Sequence, residues 1–218
     1  AITPDADQMG ARDRAVQALM ARGARVEAVH FPLMAQARDL WTAMLASAGS
    51  DSTFADHMFG TRSPLAPLKE LGRLAMRRSD HTFPLIALSL FERLPELTPA
   101  RTKKLCGQAL TLKLQFEDAL GDDGVLITPT YPTVAPKHYK ALLPPFNFVN
   151  CAIFNALSLP VTAVPTGLNA SGVPTGVQVV ATEGNDHLTL ACALALESAL
   201  GGWTYPVVSN VIPGAVAR

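Results

Sequence analysis

Apolar residues recur at helical spacing in six stretches of this chain, and three short apolar runs bounded by proline or glycine lie between the last two. The first stretch predicts a helix from Thr3 to about Arg22. Thr3 caps it, Pro4 takes its first position, Asp5 and Asp7 lie at the positive end of its dipole, and Val16, Leu19 and Met20 form its apolar stripe. Gly23 ends it, and charges at alternate positions then predict a short strand over Ala24–Phe31, closed by Pro32. Gln36 to Ser47 predicts a second helix, with Leu40, Trp41, Met44 and Leu45 on one face and Gly49 beyond its end. Residues 50–65 lack a period and predict an irregular connection with a helical turn around Phe54–Phe59.

Leu68 to Arg78 is amphipathic, with Leu68, Leu71, Leu74 and Ala75 set against Lys69, Arg73, Arg77 and Arg78. Phe83 to Leu94 is almost wholly apolar, so the two stretches predict a helical hairpin over about 68–95. From Thr98 or Pro99, a long helix is predicted by Leu105, Ala109, Leu112, Phe116 and Leu120, ending near Gly121. Val125–Thr128, Val161–Val164 and Gly176–Ala181 are apolar runs of strand length and predict buried strands. Asp186 caps a final helix that runs to Leu200. Strands alternating with long helices predict an α/β protein, an α/β/α layered arrangement with a mixed, mostly parallel sheet. No repeat or break in composition divides the chain, so one domain is expected.

Composition narrows the function classes. The chain has 218 residues, 49% of them apolar and 17% charged, which suits a buried core and argues against disorder. Lys plus Arg equals Asp plus Glu at 18 each, so there is no overall charge to match a nucleic-acid backbone, and no nucleic-acid partner is expected. Cys106, Cys151 and Cys192 are odd in number and widely spaced in apolar helical stretches, which suits a reducing, cytoplasmic compartment. No apolar run reaches the roughly 20 residues that span a bilayer.

Isolated chemistry is sparse. No Gly-x-Ser-x-Gly elbow, phosphate loop or dinucleotide fingerprint occurs. His30, His57, His81, His138 and His187 are scattered without zinc spacing, and Asp122-Asp123 follows a helix as a solvated turn would, so no metal is expected. The Asn169-Ala-Ser171 triplet matches a glycosylation sequon, a pattern common by chance.

The order of larger motifs says more. Gly124-Val-Leu-Ile-Thr-Pro-Thr-Tyr-Pro132 is followed by Phe154-Asn-Ala-Leu-Ser-Leu-Pro-Val-Thr-Ala-Val-Pro-Thr-Gly167 and then by Gly172-Val-Pro-Thr-Gly-Val-Gln-Val-Val-Ala181. Each proline and glycine has an ordinary structural reading at a strand end or turn. Their order and spacing together resemble the C-terminal half of amidase signature enzymes. Leu40-Trp41, Ala43-Met44 and the apolar Pro84–Leu94 stretch resemble the fatty-acid amide hydrolase 2 branch.

That resemblance implies amide-bond hydrolysis by a serine nucleophile, a bridging serine and a lysine, with backbone N–H groups on the oxyanion and no cofactor. The Gly- and Ser-rich segment that carries this machinery has no counterpart here, so no catalytic residue is transferred and the chain is expected to be inactive alone. It further implies that Phe146, Phe148, Ala152 and Phe154 line an acyl pocket, with plain core packing as the competing reading. Asn147, Asn150 and Asn155 interrupt the same segment and are left unranked. Phe83, Leu88 and Phe91 match the place of a helical cap that rests on a membrane or guards the acyl channel, against the alternative of an ordinary helix contact. The expected partners are the missing N-terminal half of the same protein, a small-molecule amide, a membrane surface touched peripherally and, through exposed sheet edge, a second copy. Two other functions stay open: a non-catalytic binding or complementing subunit, and part of the glutaminase subunit of a tRNA-dependent amidotransferase.

Overall fold

The computed structural model describes residues 3–48, 54–60, 63, 65–91, 98–137, 140 and 146–205. Three strands form a sheet in the order β1-β3-β2: β1 is Leu126–Pro129, β2 Val161–Leu168 and β3 Pro174–Val180. Around it lie α1 (Ala6–Met20), α2 (Ala37–Ala48), α6 (Pro99–Leu120), α7 (Val149–Ala156) and α8 (Asp186–Leu200). Three further helices, α3 (Phe54–Phe59), α4 (Ala66–Ala75) and α5 (Phe83–Phe91), pack on one another.

β3 is covered on both faces, because successive side chains of a strand point to opposite sides. Val177 and Val179 pack with Ala11 and Ala15 of α1, Val164 of β2 and Leu196 of α8. Val180 joins Leu40 of α2, Leu112 and Phe116 of α6, and Ile153 and Phe154 of α7 on the other side. The α/β/α layering therefore holds. The expectation of a mostly parallel sheet does not: both pairings are antiparallel, with Ile127 opposite Val179 and Val164 opposite Val177. Only residues 169–173 join β2 to β3. A parallel pair needs a crossover of about a dozen residues or more, so this connection can only be a hairpin. Asn169 builds its turn, its Oδ1 accepting from the N–H groups of Ser171 and Val173 while Gly172 takes φ +76.

Helix α6 buries Ala109, Leu112, Phe116 and Leu120, as its spacing predicts. Elsewhere the local expectations shift. Asp5, rather than Thr3, caps α1 by accepting from the Gln8 N–H. The buried stripe of α1 is Gln8, Ala11 and Ala15, while Met20 is exposed, because small residues let the helix sit close on β3. A 3-10 turn over Pro32–Gln36 precedes α2. Asn185 precedes α8 in place of an Asp186 cap, its side chain donating to Thr182 Oγ1. Residues 24–31 form neither helix nor strand, and positions 24–30 are exposed, with no described strand alongside to pair with them.

Candidate functional site

The loop that leaves β1 is held by donors from three directions. Gln178, buried in the middle of β3, spends both hydrogens of its amide on carbonyls, at 3.1 Å from Pro129 and 2.9 Å from Asn150. Cys151 Sγ donates to Thr130 O, the Asp5 N–H to Pro132 O, and Gln8 Nε2 to Thr133 O. Burial raises the Cys151 thiol above its ordinary value, which keeps it protonated and a donor near neutral pH. β1, β3, α1 and α7 thus meet at one short loop, and a polar residue within the otherwise apolar run Val177–Val180 ties two of them.

Segment 146–154 runs beside this loop and contains the four residues expected to line a pocket. The structure splits them. Ala152 and Phe154 are buried, and the Phe154 ring lies 5.6 Å from Phe116, which in turn meets Phe31 at 4.4 Å. Phe148 reaches outward, and the half-buried Phe146, packed against the core, meets it with their centroids 6.1 Å apart to form an aromatic ledge. Trp41 of α2 meets Phe148 edge-on at 5.2 Å, and the Arg38 guanidinium sits 5.9 Å from the Phe146 centroid. Phe148 remains 40% exposed, an apolar surface open to an apolar ligand.

Phe146 has φ +71, a region that bulky residues rarely enter and that costs about 1–3 kcal/mol. The next residue, Asn147, is buried with its Oδ1 unpaired. The three asparagines of this segment are now separated: Asn155 is exposed, the Asn150 carbonyl is taken by Gln178, and Asn147 carries the orphaned acceptor. Strain at Phe146 thus adjoins an unpaired buried polar atom, a state that Gln8 Oε1 shares on the other side of the loop.

Phe83 is exposed on α5, Leu88 is half-buried, and the Phe91 side chain lies outside the described residues. Among the described residues no three His, Cys, Asp or Glu side chains gather as a metal site would need, and no lysine hydrogen-bonds a serine. Lys113 instead pairs with Glu183. Gln8 and Gln178 were missed as site residues by sequence reasoning, and Asn147 was named but left unranked. A readable signal existed for Gln178, a carboxamide in a run of valines, whereas the state of Asn147 depends on neighbours distant along the chain.

The amidase family profile matches residues 1–190. The chain is 42% identical over 188 residues to fatty-acid amide hydrolase 2 of Homo sapiens, a match covering 84% of this chain and 35% of the relative. It is 38% identical over 195 residues to fatty-acid amide hydrolase 2-A of Danio rerio, covering 88% of this chain and 36% of that one. The fold resembles a solved fatty acid amide hydrolase with a TM-score of 0.61 at 16% identity, over 92% of this chain and 38% of the other. The chain thus spans little more than a third of these relatives, and within that span its motifs, layering and profile agree: it belongs to the amidase family.

Proposed function

We propose that this chain supplies the scaffold and acyl-binding wall of an amide-bond hydrolase acting on apolar acyl amides. The nucleophile, bridging serine and lysine then come from parts of the domain outside these 218 residues. The observation that carries the reading is the ledge of Phe146, Phe148 and Trp41, which leads into the start of α7, where Gln178 and Cys151 tie that helix to β3 and to the loop after β1. An apolar chain laid on such a ledge removes surface from water at about 25 cal/mol per Å². A ledge of this composition has little to offer the polar side chain of glutamine, which favours the acyl-amide substrate over a glutaminase role.

The exposed, unpaired segment 24–30, with Val26 and Val29 facing solvent, suits a partner strand from the rest of the domain. Without it, self-association of the isolated chain is the expected outcome, read by light scattering. A chain that stays monomeric at high concentration counts against the unpaired edge.

The experiment uses the longer protein that carries this segment. Phe148→Ala is expected to raise KM for a long-chain amide several-fold more than for a short-chain one, with kcat little changed. An equal change for both chain lengths removes the wall. A fluorophosphonate serine-hydrolase probe is expected to label the longer protein and leave the 218-residue chain unlabelled. Labelling of the short chain overturns its assignment as a non-catalytic portion.

A further inference from the structure

Gln178 stands where an apolar residue would be expected, and its place in β3 decides what it can reach. Val177 and Val179 pack with α1 and α8, so Gln178 lies on the opposite face of the strand with Val180, towards α6 and α7. Its register neighbours are Thr128 of β1 and Ala163 of β2, neither of them large. The buried carboxamide crosses to Asn150 in the first turn of α7 and also reaches Pro129 at the end of β1. A valine would fill the position without the desolvation of an amide; the carboxamide adds two directional bonds instead. The next residue of α7 is tied as well, with Cys151 Sγ donating to Thr130 O at 2.8 Å. Consecutive residues of α7, 150 and 151, are thus fastened to consecutive residues 129 and 130 of the chain leaving β1.

Local structure does little to fix the start of α7. Phe148 takes the N-cap position with no side-chain hydrogen bond, Phe146 holds φ +71, and the buried Asn147 between them leaves its Oδ1 unpaired. A strained residue persists only where its surroundings over-determine it. Val149, Ile153 and Phe154 bury the helix, but apolar contact is non-directional and does not set where the first turn sits along the loop. The two ties do. The ledge follows that turn, because Phe146 O accepts from the Val149 N–H and Phe148 O from the Ala152 N–H, both at 3.0 Å. A shift of the first turn is carried directly to both rings.

We propose that Gln178 and Cys151 are positioning residues for acyl binding: they hold the first turn of α7 so that Phe146 and Phe148 present one surface to the apolar acyl chain of the substrate. This rests on the reading of the ledge as an acyl wall. Neither side chain touches the substrate, and their influence on acyl length passes through the backbone of residues 146–151. Loss of a tie lets the strained Phe146 relax and separates the two rings. A long acyl chain lies along both rings and loses contact with one of them, whereas a short chain loses little. The chemical step at the amide, supplied from outside these 218 residues, is left unchanged.

The test is steady-state kinetics on the longer protein that carries this segment, at a temperature where circular dichroism shows each variant folded. Gln178→Met keeps the side-chain length and removes both donated hydrogens. It is expected to raise KM about fivefold for a long-chain amide and less than about twofold for a short-chain one, with kcat little changed. Cys151→Ala should act in the same direction to a smaller extent, and Cys151→Ser, whose hydroxyl can donate to the same carbonyl, should restore the parent's preference. Added to Phe148→Ala, Gln178→Met should raise the long-chain KM no further, because both act through one ring; a role in stability alone would not produce that coupling. Equal changes for both chain lengths, a loss confined to kcat, additive effects in the double variant, or a Cys151→Ser that behaves as Cys151→Ala overturns the proposal. The Cys151 pair decides alone should Gln178→Met fail to fold. If Phe148→Ala separates the chain lengths and Gln178→Met does not, the positioning role falls and the acyl wall stands; if Phe148→Ala does not separate them, both fall.

Discussion

The body around the sheet and the α4–α5 hairpin solve the same problem in opposite senses. In the body, apolar side chains point inward and the buried polar ones mostly serve to fasten loops, as Gln178 fastens Pro129 and Asn150. In the hairpin, α4 buries a carboxylate and gives its leucines to solvent. Both arrangements use an amphipathic element. The difference teaches that an apolar stripe specifies burial against something, and that the something can lie outside the chain.

The comparison breaks most readily in the body. Phe116→Ala removes a ring packed between Phe31 and Phe154 and is expected to cost about 3–5 kcal/mol in urea denaturation. A loss near zero there would mean that α6 and α7 do not share one core. Gln178→Leu comes next: it fits the strand but strips the donor from two carbonyls, at about 1–3 kcal/mol for each orphaned group. Its signature is faster hydrogen exchange at the start of α7 as well as around the β1 loop.

The hairpin responds to pH instead. The Ser79 hydroxyl, with Arg73 beside it, holds the Glu70 carboxyl below its ordinary value, although desolvation opposes them. A carboxyl lowered in the folded state adds stability that is fully present above its unfolded value and is lost as pH falls through the folded one. Amide exchange in α4 and α5, corrected for its intrinsic pH dependence, should therefore accelerate in acid before that of α6 does, and Glu70→Gln should remove the difference. The smallest effect expected is on Leu68→Ala, within about 0.5 kcal/mol in either direction because its side chain already faces water. A loss of several kcal/mol at Leu68 would show that α4 is packed on both sides.

The long helix α6 was legible because five apolar residues repeat at its own period, and the three strands because proline and glycine bracket them. Strand direction was misread because the predicted strands left residues 165–175 between them, close to the length of a crossover, whereas the longer strands of the structure leave only 169–173. The amphipathic pattern of α4 was visible, while its orientation was not, because that depends on where Ser79 and Arg73 bring the Glu70 carboxylate. Within the site, the aromatic residues stood out by composition. Their grading from buried Phe154 through half-buried Phe146 to exposed Phe148 depends on Phe116, Phe31 and Trp41, which lie far away in sequence.

The central position of β3 has a consequence for the order in which the protein is made. Both neighbours, β1 and β2, precede it along the chain and pair with it rather than with each other. A ribosome releasing this chain delivers the two outer strands first and their shared partner last. Until Gln178 emerges, the loop after β1 and the carbonyl of Asn150 lack their common donor, so the ledge can take its final form only after β3 has been made.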